Sequence, residues 1–201
     1  MITILDYSVN NLRSVQKAFE HLGHQTLVTS DPDVVAKAEK LVLPGVGAFG
    51  EAMRNLRAKN LVEPICEAVS GGKHVMGVCL GMQLLFDWSD ELGLHQGLGI
   101  LGGKVKKFPE LPNLKVPHMG WSGLQFPHDS KLFAGLPGGE MCYFVHSYHA
   151  LPEDEAVIAA TGEHGIQFVA GVERYNVMGA QFHPEKSSAA GLKILDNFAR
   201  L

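Results

Sequence analysis

Cys79 lies within His74-Val75-Met76-Gly77-Val78-Cys79-Leu80-Gly81-Met82-Gln83. An apolar run with β-branched residues meets a glycine-flanked cysteine and passes into the helix-compatible Met82-Gln83-Leu84-Leu85-Phe86. A buried strand that breaks at such a residue and becomes a helix is the layout of a nucleophile elbow, with Cys in place of Ser. A tight turn leaves no room for Cβ atoms around the nucleophile, and glycine tolerates a strained backbone. The partial positive charge at a helix start would favour the thiolate, the reactive form. Taken alone, G-x-C-x-G fits a buried structural thiol equally well.

A cysteine nucleophile needs a base, and the base needs an orienting group. Of the 10 histidines, His21, His24, His95, His128 and His164 read as solvated residues of helices or turns. His183 differs. It sits in Gln181-Phe182-His183-Pro184-Glu185, directly after an apolar run, so it falls at the carboxyl end of a strand, where open α/β sheets gather functional groups. Glu185 can fold back to accept from its ring. In isolation, His-Pro-Glu suits a capping histidine and a surface glutamate better. Attack on an amide passes through an oxyanion, which calls for two backbone N–H donors. The Leu80 N–H is one candidate. A peptide N–H of Pro44-Gly45-Val46-Gly47 is the other, although that loop also fits a plain turn. No Lys-Ser/Thr follows it and no G-x-G-x-x-G is formed, which weighs against nucleotide binding.

The elements that must position these groups alternate. Ile2 to Leu5, Gln25 to Thr29, Leu41 to Leu43 and the run before Cys79 read as strands. A helix carrying Leu12, Val15, Phe19 and Leu22, capped by Asn10 or Asn11 and stopped by Gly23, follows the first. Asp31-Pro32 opens a short helix; Ala48 to Arg57 and Leu61 to Val69 read as two more. Alternation of this kind implies a mostly parallel sheet covered on both faces by helices. After Gly97, short strand-like segments replace it: Gly99–Phe108, Val116–His118, Cys142–Val145, Ala156–Thr161, Gln167–Val172 and Val177–Gln181. They read as hairpins added to the parallel sheet of one domain over 1–201, since no polar linker intervenes. Ser188 to Arg200 closes the chain as an amphipathic helix with Leu192, Leu195, Phe198 and Ala199 inward.

The 201 residues suffice for one full core, and 46% hydrophobic with 19% charged residues is ordinary for a globular chain. A net charge of −4 with interspersed signs gives no basic face for nucleic acid. No apolar run is long enough to span a bilayer, and Met1 to Asp6 reads as a first strand, not a signal peptide. Three cysteines, an odd number, point to a reducing, cytoplasmic setting; Cys66 and Cys142 read as inert core thiols.

Gly77 to Gln83, Gln181 to Ser187 and Pro44 to Gly50 together resemble the class I (triad) glutamine amidotransferases. Within that class, Pro44 to Gly50, Asn10 to Ser14, Pro117-His118-Met119-Gly120-Trp121 and Tyr143 to Tyr148 resemble the glutaminase subunits of imidazole glycerol phosphate synthases. The resemblance runs the length of the chain. It implies a flavodoxin-like fold and no cofactor or metal. It makes Cys79 the nucleophile, His183 the base and Glu185 its orienter. Gly45, Val46 and Leu80 fall at the oxyanion hole, in a strand that the family is thought to leave poorly set until its partner binds. Gly47, Gln83, Glu91, His146, Ser147 and Tyr148 fall at glutamine-binding positions. The implied partner is a (β/α)8-barrel cyclase subunit in a heterodimer. It would take the ammonia and form imidazole glycerol phosphate and an aminoimidazole-carboxamide ribonucleotide, in histidine biosynthesis. Asn11, Arg13, Met119, Trp121, Tyr143 and Lys186 are candidates for the docking face and ammonia passage. Ser122 departs from the Asn usual after Trp121. The competing readings are a stand-alone cysteine hydrolase of the same fold and a non-catalytic scaffold.

Overall fold

A computed structural model of the chain describes residues 1–8, 11–112 and 114–201; Asn10, one of the two expected helix caps, lies outside them. The first half alternates as its hydrophobic pattern dictates: β1 (Ile2–Leu5), α1 (Leu12–His21), β2 (Thr26–Thr29), α2 (Pro32–Ala36), β3 (Lys40–Leu43), α3 (Phe49–Ala58), α4 (Val62–Ser70), β4 (His74–Val78) and α5 (Leu80–Leu84). The second half is mostly strand: β5 (Phe86–Ser89), β6 (His95–Gln96), β7 (Leu101–Lys107), β8 (His118–Gly123), β9 (Met141–His146), β10 (Tyr148–Pro152), β11 (Ile158–His164), β12 (Ile166–Arg174) and β13 (Val177–Ala180), closed by α6 (Ser188–Arg200).

The central sheet runs β11-β12-β13-β4-β3-β1-β2. From β13 to β2 all pairings are parallel, and β12 and β11 add an antiparallel edge. Buried strands alternate their side chains between two cores. Ile4, Val42 and Met76 face Val15, Phe19, Ile194 and Phe198 of α1 and α6. Leu5, Leu41, Leu43 and Val75 face Met53, Leu56 and Ile65 of α3 and α4. The chain enters and leaves the sheet so that the carboxyl ends of β1, β3, β4 and β13 lie side by side. Tyr7, Pro44–Gly47, Cys79 and His183 all follow those ends.

Several boundaries differ from the sequence expectation. The helix after Cys79 stops at Leu84, and Phe86 opens β5 instead. Tertiary pairing overrides propensity there: the Leu84 and Leu85 carbonyls accept from Leu98, Ile100 and Leu101 of the returning chain. Of the second-half strands, only β11, β12 and β13 join the main sheet. The remaining strands form two separate sheets, β10-β7-β5-β6 and β8-β9. β8 begins at His118, not Val116, because Pro117 has no N–H to give a ladder. Residues 155–157 form a 3₁₀ turn, so the strand expected from Ala156 starts at Ile158. In α6, Leu192 is only partly buried, and Ile194 takes the inward position.

The tightest backbone approach in the fold is at Gly81. A Cβ there would lie 1.7 Å from the Leu43 carbonyl oxygen, and one on Gly77 would lie 2.5 Å from the Gly81 carbonyl. Neither contact involves a flexible side chain that can move aside. Gly81→Ala is therefore expected to cost at least about 3 kcal/mol, the upper end of ordinary overpacking, read as a lowered urea midpoint or loss of the cooperative transition.

Candidate functional site

The turn from β4 into α5 puts its strain on the cysteine. Cys79 has φ 53° and ψ −111°, a region L-residues avoid, whereas Gly77 and Gly81 have no positive φ. The flanking glycines thus serve close approach, not conformational freedom. Cys79 N–H donates to Ala180 O at 2.7 Å, and its carbonyl accepts from Met82 and Gln83. α5 has 5 residues, so any helix-start effect is that of a single turn. The Gln181 amide lies 3.9 Å from the sulfur.

His183 follows β13 and is 1% exposed. Its backbone N–H donates to Tyr143 O at 2.9 Å, and Ser187 Oγ ties down its carbonyl at 2.7 Å. A 3₁₀ turn over Pro184–Lys186 swings Glu185 back, placing Oε1 2.8 Å from His183 Nδ1. The same oxygen accepts from Asn11 Nδ2 at 2.6 Å. Asn11 was expected as a possible cap of α1; its side chain makes no cap bond and reaches Glu185 instead. The left-handed backbone at Asn11, φ 77°, is one Asn tolerates. Among the described residues, His183 Nε2 and Glu185 Oε2 are buried without hydrogen-bond partners. Burial pushes His183 down, but the neighbouring Cys79 sulfur and the Glu185 carboxylate outweigh it and raise its pKa.

The Pro44–Gly47 loop is held at two points. The Tyr7 phenol donates to Pro44 O, and Leu80 N–H donates to Gly45 O at 3.3 Å. Both expected oxyanion donors are affected: Leu80 N–H is engaged, and the Gly45–Val46 peptide turns its carbonyl toward it. Tyr7 is fully buried, and that burial, followed by the Cys79 charge, raises its pKa. A Cβ on Gly45 would lie 2.6 Å from the Tyr7 hydroxyl. Gly47 has φ 127°, which demands glycine.

A cavity of about 320 Å³ opens over Cys79. Gly47, Gln83, Glu91, His146, Ser147 and Tyr148 all line it, together with Val46 and Leu80. Gln83 Nε2 donates to Tyr148 O and Gln181 Oε1, each at 3.0 Å. Glu91 Oε2 accepts from Phe49 N–H at 2.7 Å, capping α3, whose own N-cap residue, Ala48, supplies no side-chain bond. Among the described residues, no group of three or more His, Cys, Asp or Glu is arranged to hold a metal ion.

Of the docking candidates, Met119 and Trp121 are 64% and 47% exposed, and Arg13 and Lys186 are exposed as well. Tyr143 is half-buried, its ring edge-on to Trp121. Sequence reasoning missed Tyr7, Gln181, His118 and the contact of Asn11 with Glu185. A buried-side polar residue next to each strand's carboxyl end was the available signal for the first two. His164 is not a solvated surface residue: its ring stacks on His118 at 4.2 Å.

The fold and this Cys–His–Glu arrangement define a class. The family model for class-I glutamine amidotransferases matches residues 3–201, and the chain belongs to that family. Solved structures agree on the fold: PurLQS from Thermotoga maritima superposes with a TM-score of 0.77 at 20% identity over 99% of this chain and 97% of that one. A further glutamine amidotransferase superposes with a TM-score of 0.76 at 19% identity, covering 100% and 99%. Within the class, the chain groups with proteins named imidazole glycerol phosphate synthase subunit HisH. The relative from Syntrophotalea carbinolica is 54% identical over 98% of each chain. That from Geobacter sulfurreducens is 50% identical over 100% of this chain and 98% of its own. That from Aquifex aeolicus is 49% identical over 98% and 95%. No helix among the described residues is long and apolar enough to cross a membrane.

Burial holds several histidines neutral. It pushes His118 down to about 4, with His164 adding to the effect, and it pushes His146 down to about 3 against the opposing bond to Tyr148 O. In the unfolded chain these histidines take up a proton near pH 6.5, while the folded chain resists. The unfolded state then binds more protons, so the contribution of these two histidines to stability is full above pH 6.5 and is lost as the pH drops toward 4. Urea midpoints measured across that window should decline, and less steeply in His118→Phe than in the wild type.

Proposed function

We propose that the chain hydrolyses glutamine to glutamate and ammonia as the glutaminase subunit of imidazole glycerol phosphate synthase, in histidine biosynthesis, in the cytoplasm. The observation that carries the chemistry is the buried His183–Glu185 pair beside Cys79, under a cavity lined by every expected glutamine contact. The Cys79 thiolate attacks the side-chain amide carbon. The C–N bond breaks as His183 passes a proton to the departing ammonia, leaving a glutamyl thioester. His183 then takes a proton from water, which attacks the thioester and releases glutamate and the thiol. Glu185 holds the His183 ring through Nδ1 and stabilises its charged form. Glu91 supplies the anion that the substrate's ammonium group needs.

Free ammonia is mostly protonated at neutral pH and is then no nucleophile, so it must pass directly to a second active site. The subunit names of the relatives agree with such an assembly. We assign that site to a (β/α)8-barrel cyclase subunit in a heterodimer, docking on Arg13, Met119, Trp121, Tyr143 and Lys186. The Gly45–Val46 peptide links docking to turnover. While its carbonyl holds Leu80 N–H, the oxyanion lacks donors. Rotation of that one peptide releases Leu80 N–H and brings the Val46 N–H toward the same space, a population shift that the loaded partner would favour.

Cys79→Ala is expected to abolish glutamate release while the circular dichroism spectrum stays unchanged. Glutamate release should be low for the chain alone and rise steeply with the cyclase and its nucleotide. A high rate in the chain alone would favour a stand-alone hydrolase. Lys186→Glu should weaken cyclase binding in a titration, and unaltered affinity would count against this docking face.

A further inference from the structure

Behind the cavity, a line of buried hydrogen bonds joins β8 to the cysteine. His146 Nδ1 lies 2.8 Å from Tyr148 O, which can only accept, so that nitrogen carries the proton. His146 is neutral in its aromatic surroundings, so its Nε2 is an acceptor. His118 Nδ1, 3.1 Å away, must therefore donate to it. His118 Nε2 is then an acceptor as well, and Ser122 Oγ–H donates to it at 2.9 Å. The Tyr148 carbonyl receives a second donor, Gln83 Nε2. Because that nitrogen also bonds Gln181 Oε1, the Gln83 amide has one workable orientation, and Gln181 turns its own NH2 toward Cys79 Sγ. Each proton has one position along the whole line.

The surroundings hold this arrangement rigid. The His118 ring lies between Phe144 and His164, with centroids at 5.0 and 4.2 Å. His164 Nε2 donates to Lys115 O, which fixes its own tautomer. Both nitrogens of His146 are used inside the protein, so toward the cavity it offers shape and not a donor. β8 has two faces: Met119 and Trp121 point outward at the docking candidates, while His118 and Ser122 point inward to this line.

We propose that His118 is a positioning residue for glutamine: it holds His146 in the Nδ1–H tautomer, which pins the Tyr148 carbonyl and, through Gln83 and Gln181, sets the wall of the cavity against Cys79. The inference deepens the glutaminase reading and rests on it for its kinetic arm only. A matched pair of variants separates hydrogen bonding from packing. Asn and Leu have nearly the same shape, but only Asn can place an N–H where His118 Nδ1 lies. In the complex with the cyclase, His118→Leu should lower kcat/KM for glutamine about tenfold, the equivalent of one buried hydrogen bond, chiefly through KM. His118→Asn should recover most of that loss. Equal losses in the two variants, or no loss in His118→Leu, would overturn the proposal. Ring-nitrogen NMR of the wild-type chain gives an independent reading: His118 and His146 should both be Nδ1–H tautomers below neutral pH as well as at it. An Nε2–H tautomer at His146 would overturn the proposal whatever the kinetics. A wild-type complex that releases no glutamate would sink the function proposed above, and the tautomer result would then decide the relay alone.

Discussion

The site depends on how closely two backbones can pass. Leu43 at the end of β3 and Gly81 at the start of α5 meet with no space for a methyl group between them. That approach sets the angle of the turn at Cys79, whose backbone sits in a conformation that only tertiary contacts can hold. The same approach brings the loop after Leu43 over the cysteine, so that the Gly45 carbonyl reaches Leu80 N–H. Cys79 and the Pro44–Gly47 loop are therefore placed by one contact between the end of β3 and the start of α5. A wider spacing would move both.

Around that contact, the charged and polar groups are almost all taken out of water, and their pairing is what fixes them. Glu185 is buried and takes His183 and Asn11 on the same oxygen. An uncompensated carboxylate there would be costly, so the histidine stays beside it and its charged form is favoured. On the far side of the cavity, burial acts the other way and keeps His118 and His146 neutral. Imidazoles of one chain thus sit in opposite charge environments, one near an anion and the others among aromatic rings.

The parallel sheet was legible in the sequence as a local alternation, whereas G-x-C-x-G and His-Pro-Glu, each ambiguous alone, became legible only through the family resemblance that the motifs carry together. Apolar runs broken by glycine mark strands, and Gly77 and Gly81 flank Cys79 and Leu80, which the turn presents to the cavity. The three-sheet arrangement was not legible, because the choice of partners for β5, β7 and β10 is made by chain segments far away in sequence. Asn11 shows the same limit at one residue. Local rules make an Asn before a helix a cap, and its true bond is to Glu185, 174 positions on. His164 read as a solvated residue because histidine is neutral as to burial; only the rings of Phe108 and His118, brought together from segments far apart in the chain, decide its place.

Glu91 serves two structures at once. Its carboxylate lines the cavity, and it also closes the first turn of α3 through Phe49 N–H, where Ala48 offers nothing. Replacing it would fray a helix that packs on the main sheet. The carboxylate at this wall of the cavity is in that sense inherited with the scaffold, and its loss would first require a new cap at position 48.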